Sequence, residues 1–299
     1  VAARKQGSGS TVTDVVVPAA RAHYERLVSL AADVRADADD SVHQMRVSAR
    51  RLRSLLGTYR DAFPPDATAD ARSELRWLGS VLGKARDAEV LAARFGDLID
   101  AEPADLVVGS VHQRLVGTQQ DLYRAAHADA AQEFTRPRYA ALCALLDEVT
   151  TGRDPGPTDL PLRSGLDTAY RQLRKAVKKV RVLQRDDGAD LGPALHRVRK
   201  RAKKLRYAAE AIATVEPSAA RLGSAAKALQ SMLGDHQDGV LARGWILDAV
   251  AQARIDDEDT FTYGLLYAAE EERAARATRE LPRSAKAIKK AYKKLDFEH

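Results

Sequence analysis

A chain of 299 residues can bury a substantial core, and sparse glycine and proline (18 and 11) with abundant alanine, leucine and arginine favour helix over strand. The single cysteine, Cys143, excludes an intrachain disulfide or a CxxC metal site; no apolar run approaches a membrane span and no charged-then-apolar signal segment opens the chain, so the expectation is a soluble, cytoplasmic protein. The formal net charge is only +6, so the placement of the charges matters more than their total.

Residues 1–13 include QGSGS (6–10), a flexible-linker composition, and a chain beginning at Val1 reads as a piece of a longer protein. Helical periodicity then predicts segments at roughly 18–35, 41–62, 68–83, 87–100, 104–127 and 138–150, a first helical half over 14–152. Breaks are expected at Pro64-Pro65, Gly83, Glu102-Pro103 and Arg136-Pro137. The longest break, TGRDPGPTDLP from Thr151 to Pro161, places an inter-half linker at 153–162. A second half over 163–299 follows, with breaks at Asp186 to Gly188, Glu216-Pro217, Gly234 and Pro282. No segment alternates as a strand does. The expected class is all-α.

The two halves repeat each other. SVHQMRVSARRLR (41–53) aligns with ALHRVRKRAKKLR (194–206), setting His43 on His196, Arg46 on Arg199, Arg50 on Lys203, Arg51 on Lys204 and Arg53 on Arg206. LRWLGSVLGKARD (75–87) aligns with AKALQSMLGDHQD (226–238) at nearly the same spacing, setting Leu82, Gly83 and Asp87 on Leu233, Gly234 and Asp238. An internal duplication of this kind predicts two helical bundles about a pseudo-twofold axis.

On the first of these helices Val42, Met45, Ala49, Leu52 and Leu56 form a buried stripe, while His43, Arg46, Arg50 and Arg53 line a neighbouring face. The second half repeats the polar row as His196, Arg199, Lys203 and Arg206, and the helix before it adds Arg171, Arg174, Lys178 and Arg181. Like charges three and four apart repel, and neither HQMRVSARRLR nor its copy contains an acid. Such rows call for a polyanion, and the arginine fork suits phosphate oxygens. The plain alternative is a solvated basic surface.

His43 and His196 have no second histidine or carboxylate one turn further along their helices, and the neighbouring cations oppose a metal; contact with phosphate and tethering of a helix start both remain open. The paired LGxxxD reads as structure, with glycine capping one helix and aspartate opening the next. Cys143, Trp77 and Trp245 read as core, and Lys286, Lys289, Lys290, Lys293 and Lys294 as a solvated terminal helix.

A histidine opening a basic helix as HxxRVxxRRLR, repeated as HxxRKxxKKLRY with an LGxxxD after each, resembles the CHAD (conserved histidine α-helical domain) family over roughly residues 14–295. The resemblance implies two pseudosymmetric helical bundles around a basic central channel that binds inorganic polyphosphate and targets the host protein to polyphosphate granules. It also implies a possible CYTH domain upstream. Channel-lining candidates carried over are His43, Arg46, Arg50, Arg53, His196, Arg199, Lys203 and Arg206, with Arg51, Lys204 and the row Arg171, Arg174, Lys178 and Arg181 beside them. Gln237 stands where the first half has Arg86, and the first helix carries Arg21 and Arg26 with Glu25 between; the second-half wall is expected to be the more basic.

No cofactor and no catalytic residue are expected: the sequence has no ExExK, P-loop or HExxH, and no nucleophile–histidine arrangement. Nucleic acid is the competing partner, since the same cations serve a phosphodiester backbone. Against it stand the apolar seams beside the basic rows and the lack of aromatic platforms or a helix-turn-helix.

Overall fold

The computed structural model describes residues 12–151, 162–186 and 190–295. The two linker assignments fall almost wholly outside the described residues. The helices are α1 (Val12–Ser29), α2 (Ala31–Arg35), α3 (Ser41–Thr58), α4 (Pro65–Asp100), α5 (Thr118–Glu133), α6 (Pro137–Thr150), α7 (Leu162–Leu183), α8 (Gly192–Ile212), α9 (Pro217–Ile255) and α10 (Phe261–Tyr292). Among the described residues there is no strand, and no helix is long and apolar enough to cross a membrane. The chain is all-helical.

Proline opens helices where the sequence placed boundaries: Pro65, Pro137 and Pro217 each stand in a first turn, where the missing N–H is not needed. Before α9, the Glu216 carboxylate accepts from the Ser218 amide at 3.0 Å, satisfying one donor of that turn.

Three expected breaks are absent. α4 continues through Gly83, α9 through Gly234 and α10 through Pro282. A glycine inside a helix costs about 0.5–1 kcal/mol relative to alanine, less than a long buried face returns: Leu75, Leu78, Leu82 and Leu91 are all buried on α4. LGxxxD is therefore not a cap. In the opposite sense, the helix expected over 104–127 begins late, because Gly109 (φ 72°) turns the chain and a π-helical turn, Gln113–Gly117, leads into α5.

Most of the apolar stripes merge into one core that includes Met45, Leu52, Leu56, Leu78, Val198, Leu205 and Leu229. A second cluster joins Phe95 and Leu98 of α4 to Ile246 of α9 and Tyr263 and Leu266 of α10. Residues from both sides of the 153–162 segment share each cluster. Tyr59 makes one such contact: its hydroxyl donates to the Ala208 carbonyl at 3.2 Å, and its ring lies so close to Gly165 that a Cβ there would come within 2.4 Å. Another is polar, with Arg94 Nε donating to the fully buried Glu270 carboxylate at 2.9 Å. Arg114 closes a third, with ion pairs to Asp256 at 2.6 Å and Glu258 at 2.7 Å.

Cys143 and both tryptophans are half-buried, with Trp77 packed against the first cluster and Trp245 against the second. Burial pushes the Cys143 thiol pKa up, and Arg138 stacks over Trp77 at 4.3 Å.

Candidate anion-binding site

The apolar stripes of α3 and α8 face the core and leave their basic rows half-buried beside it. His43, Arg46 and Arg50 of α3 meet His196, Arg199 and Lys203 of α8 around one cavity of about 430 Å³. α4 contributes Arg86 and Asp87, and α9 contributes Gln230, Gln237 and Asp238. The two carboxylates sit beside arginines. Arg46 Nη1 donates to Asp87 at 2.7 Å and to the Gly83 carbonyl at 3.4 Å. Arg199 lies against Gly234, where a Cβ would approach its guanidinium to 3.3 Å, and its charge opposes the burial that pushes the Asp238 pKa up.

The cavity holds cations at a cost. Burial first, then Arg199, Arg50 and Arg46, push the Lys203 amine down to about 7. Burial also lowers both histidines, reinforced by Arg86 and Arg50 at His43 and by Lys200, Arg199 and Lys203 at His196. Arg199 Nε and His196 Nδ1 are buried without a hydrogen-bond partner. A buried donor left unmade costs about 1–3 kcal/mol. A ligand bearing several negative oxygens would satisfy these groups and restore the charge on Lys203.

Not every candidate reaches this cavity. Arg53 continues the α3 row and is half-buried among Arg76, Arg72, Arg50 and Arg46, with its pKa lowered chiefly by burial. Arg206 is tied to Glu210 at 2.6 Å and to Gln230 at 3.3 Å. Arg51 points the other way, pairs with Glu210 at 3.3 Å and lines a separate cavity with His23. Lys204 lies near Arg201, Arg72 and Arg60, and burial lowers its pKa. The α7 row is apart altogether: Arg171, Arg174, Lys178 and Arg181 are exposed and line a cavity of about 570 Å³ with Leu229, Ile288 and Lys289.

The expected bias toward the second-half wall is not evident: Arg46, Arg50 and Arg86 line the first-half side, with Arg46 paired to Asp87 and Arg86 to Glu89 at 2.8 Å, against Arg199 and a lysine with pKa near 7 on the other. Sequence reasoning also passed over Tyr207, only 3% exposed, whose hydroxyl accepts from Arg50 Nε at 2.7 Å. A tyrosine directly following KKLR was its only signal. For the aspartates the signal was stronger: LGxxxD recurs at the spacing of the basic rows because Gly83, Asp87, Gly234 and Asp238 receive their arginines.

Helices that bring histidine, arginine and lysine from two distant stretches of chain around one pocket define an all-helical domain with a cationic cavity. The family model described as CHAD domain matches residues 18–247, and the chain belongs to that family. Two curated Mycobacterium tuberculosis proteins, "Uncharacterized protein MT2285" (strain CDC 1551 / Oshkosh) and "Uncharacterized protein Rv2226" (strain ATCC 25618 / H37Rv), are each 38% identical over 286 residues, 94% of this chain. The alignment covers 54% of each, so the chain spans about half the length of these relatives. Among solved structures, the CHAD domain from the plant Ricinus communis superposes with a TM-score of 0.69 at 23% identity, over 96% of this chain and 95% of that one. PptA from Streptomyces chartreusis gives 0.67 at 20% identity, over 96% and 100%. At these identities the structural likeness establishes the fold.

Proposed function

We propose that the chain binds inorganic polyphosphate in the cavity between α3 and α8, without catalysing a reaction. The observation that carries this reading is the convergence of His43, Arg46, Arg50, His196, Arg199 and Lys203 on one cavity whose lining carboxylates, Asp87 and Asp238, lie beside arginines. A single strand of phosphates fits such a lining: it carries about one charge per unit and has no apolar face, and its oxygens match the guanidinium fork. In this reading the two halves are pseudosymmetric bundles from an internal duplication and the cavity is the core of a basic central channel. The module would then direct its host protein, with a CYTH domain upstream, to polyphosphate granules.

The test is a competition assay at physiological salt, with labelled long-chain polyphosphate displaced by unlabelled polyphosphate, duplex DNA or single-stranded RNA. Preferential displacement by polyphosphate is expected. Equal or better displacement by either nucleic acid overturns the reading in favour of a phosphodiester backbone.

A further inference from the structure

α3 and α4 pack antiparallel in a register that can be followed step by step. Arg46 meets Gly83, Arg53 lies beside Arg76, and Gly57 meets Arg72, whose guanidinium a Cβ at Gly57 would approach to 3.0 Å. α8 and α9 keep the same steps. Arg199 meets Gly234, Lys203 and Gln230 line the cavity together, and Gly223 meets Glu210, whose Cγ a Cβ would approach to 3.6 Å. At the last step the two seams exchange residues: glycine faces arginine in one, and glutamate faces glycine in the other.

The exchange has an electrostatic consequence. Glu210 pairs with both Arg206 and Arg51, so these two cations are answered. Tyr207 takes Arg50 Nε on its hydroxyl, with Arg51 and Arg206 at 5.9 and 5.4 Å from its ring. It lines the neighbouring cavity of about 580 Å³ together with Asp14 and Glu210, while the Arg50 it holds lines the central one. On the first-half side Asp87 and Glu89 answer Arg46 and Arg86 at the cavity, but the charge beyond Arg50 is left unanswered among the described residues. Arg53, Arg72 and Arg76 have no ion pair among the described residues, and Arg72 Nε is buried without a partner.

We propose that a long polyphosphate leaves the central cavity over the first half, from Lys203 and Arg50 past Arg53 to Arg72 and Arg76, while Tyr207 and Glu210 close the direct path along α8. This route rests on the polyphosphate reading and adds to it a direction and an asymmetry that the repeated sequence does not have. A short chain fills the central cavity alone. A long one also engages the Arg72–Arg76 edge, where the buried Arg72 Nε gains its missing partner.

The experiment compares tripolyphosphate with long-chain polyphosphate on the intact protein, on Arg72→Ala plus Arg76→Ala, and on Arg76→Glu alone, which alters only an exposed side chain. A dye on Thr214→Cys, in a Cys143→Ser background, reports from the cavity beyond Tyr207. The expected result is a loss of about tenfold or more for the long chain in both variants, corresponding to at least one charged contact. Tripolyphosphate binding should change by less than about twofold, since its contacts lie in the central cavity, and the dye should stay silent. Equal losses for both chains, no loss for the long chain, or a dye response while Tyr207 is intact would overturn the route and leave polyphosphate binding standing. If neither chain binds the intact protein, the functional reading itself fails and the route with it.

Discussion

Lys203 shows most directly what the cavity costs the free protein. Its amine is held at about 7, against an ordinary 10.5, by burial and by Arg199, Arg50 and Arg46. Between these values the unfolded chain holds the proton and the folded chain does not, so the free protein gains stability as pH rises through this window and loses it as pH falls toward 7. A bound polyanion reverses the balance by favouring the charged amine. Polyphosphate binding should therefore take up protons near neutrality, with affinity falling as pH rises from 6 to 8. Calorimetry in two buffers of different ionisation enthalpy checks this, and Lys203→Arg, which stays charged, should lose much of the proton uptake. The glycines opposite the arginines give a second test at this scale. A Cβ at Gly234 would approach the Arg199 guanidinium to 3.3 Å, whereas at Gly83 the distance to Arg46 is an ordinary 3.8 Å. Gly234→Ala should weaken polyphosphate binding several-fold with circular dichroism unchanged. Gly83→Ala should leave binding intact and stabilise the fold by about 0.5–1 kcal/mol in denaturant titrations.

At the scale of elements, the sequence carried the helices, their buried faces and the starts that proline marks, but not every end or most of their neighbours. Periodicity placed Met45 and Leu52 of α3 and Val198 and Leu205 of α8 in the core, because a 3.6-residue repeat maps directly onto a face. Gly83, Gly234 and Pro282 misled, since local propensity is outweighed where a helix of more than thirty residues is packed along its length. The meeting of α3 with α8 was legible only through the repeat. Nothing in the period of α7 says which way its cations face across the bundle, and they line a different cavity, between α7 and α10. This separation sets a prediction. Arg174→Ala with Lys178→Ala should change tripolyphosphate affinity by less than about twofold, as surface changes away from the site do. Arg46→Ala with Arg199→Ala should cost about tenfold or more, since charged hydrogen bonds are lost. Fluorescence competition at constant salt separates the two, and equal losses would return α7 to the site.

For the molecule as a whole, the central question is whether distant stretches of sequence act as one site. Arg94–Glu270, Arg114–Glu258 and Tyr59–Ala208 tie the first 150 residues to the last 140 or so, and these contacts hold α3 and α8 in fixed relation across the cavity. Arg46 from one side and Lys203 from the other are close enough that the arginine helps depress the lysine pKa. Each cation therefore raises the cost of the other in the empty cavity, and a bound polyanion relieves that cost. Removing either one forfeits that relief, so each single loss includes it in full. The double variant Arg46→Ala/Lys203→Ala should consequently lose less affinity than the two single losses combined, with a coupling of about 0.5–3 kcal/mol. The same cycle run on Arg46 and Lys178 should be additive, because Lys178 lines another cavity. Titration with tripolyphosphate at one salt concentration and pH measures both cycles, the short chain ensuring that one ligand cannot bridge separate surfaces. Additive losses in the Arg46–Lys203 cycle would falsify the shared cavity and leave two independent basic rows.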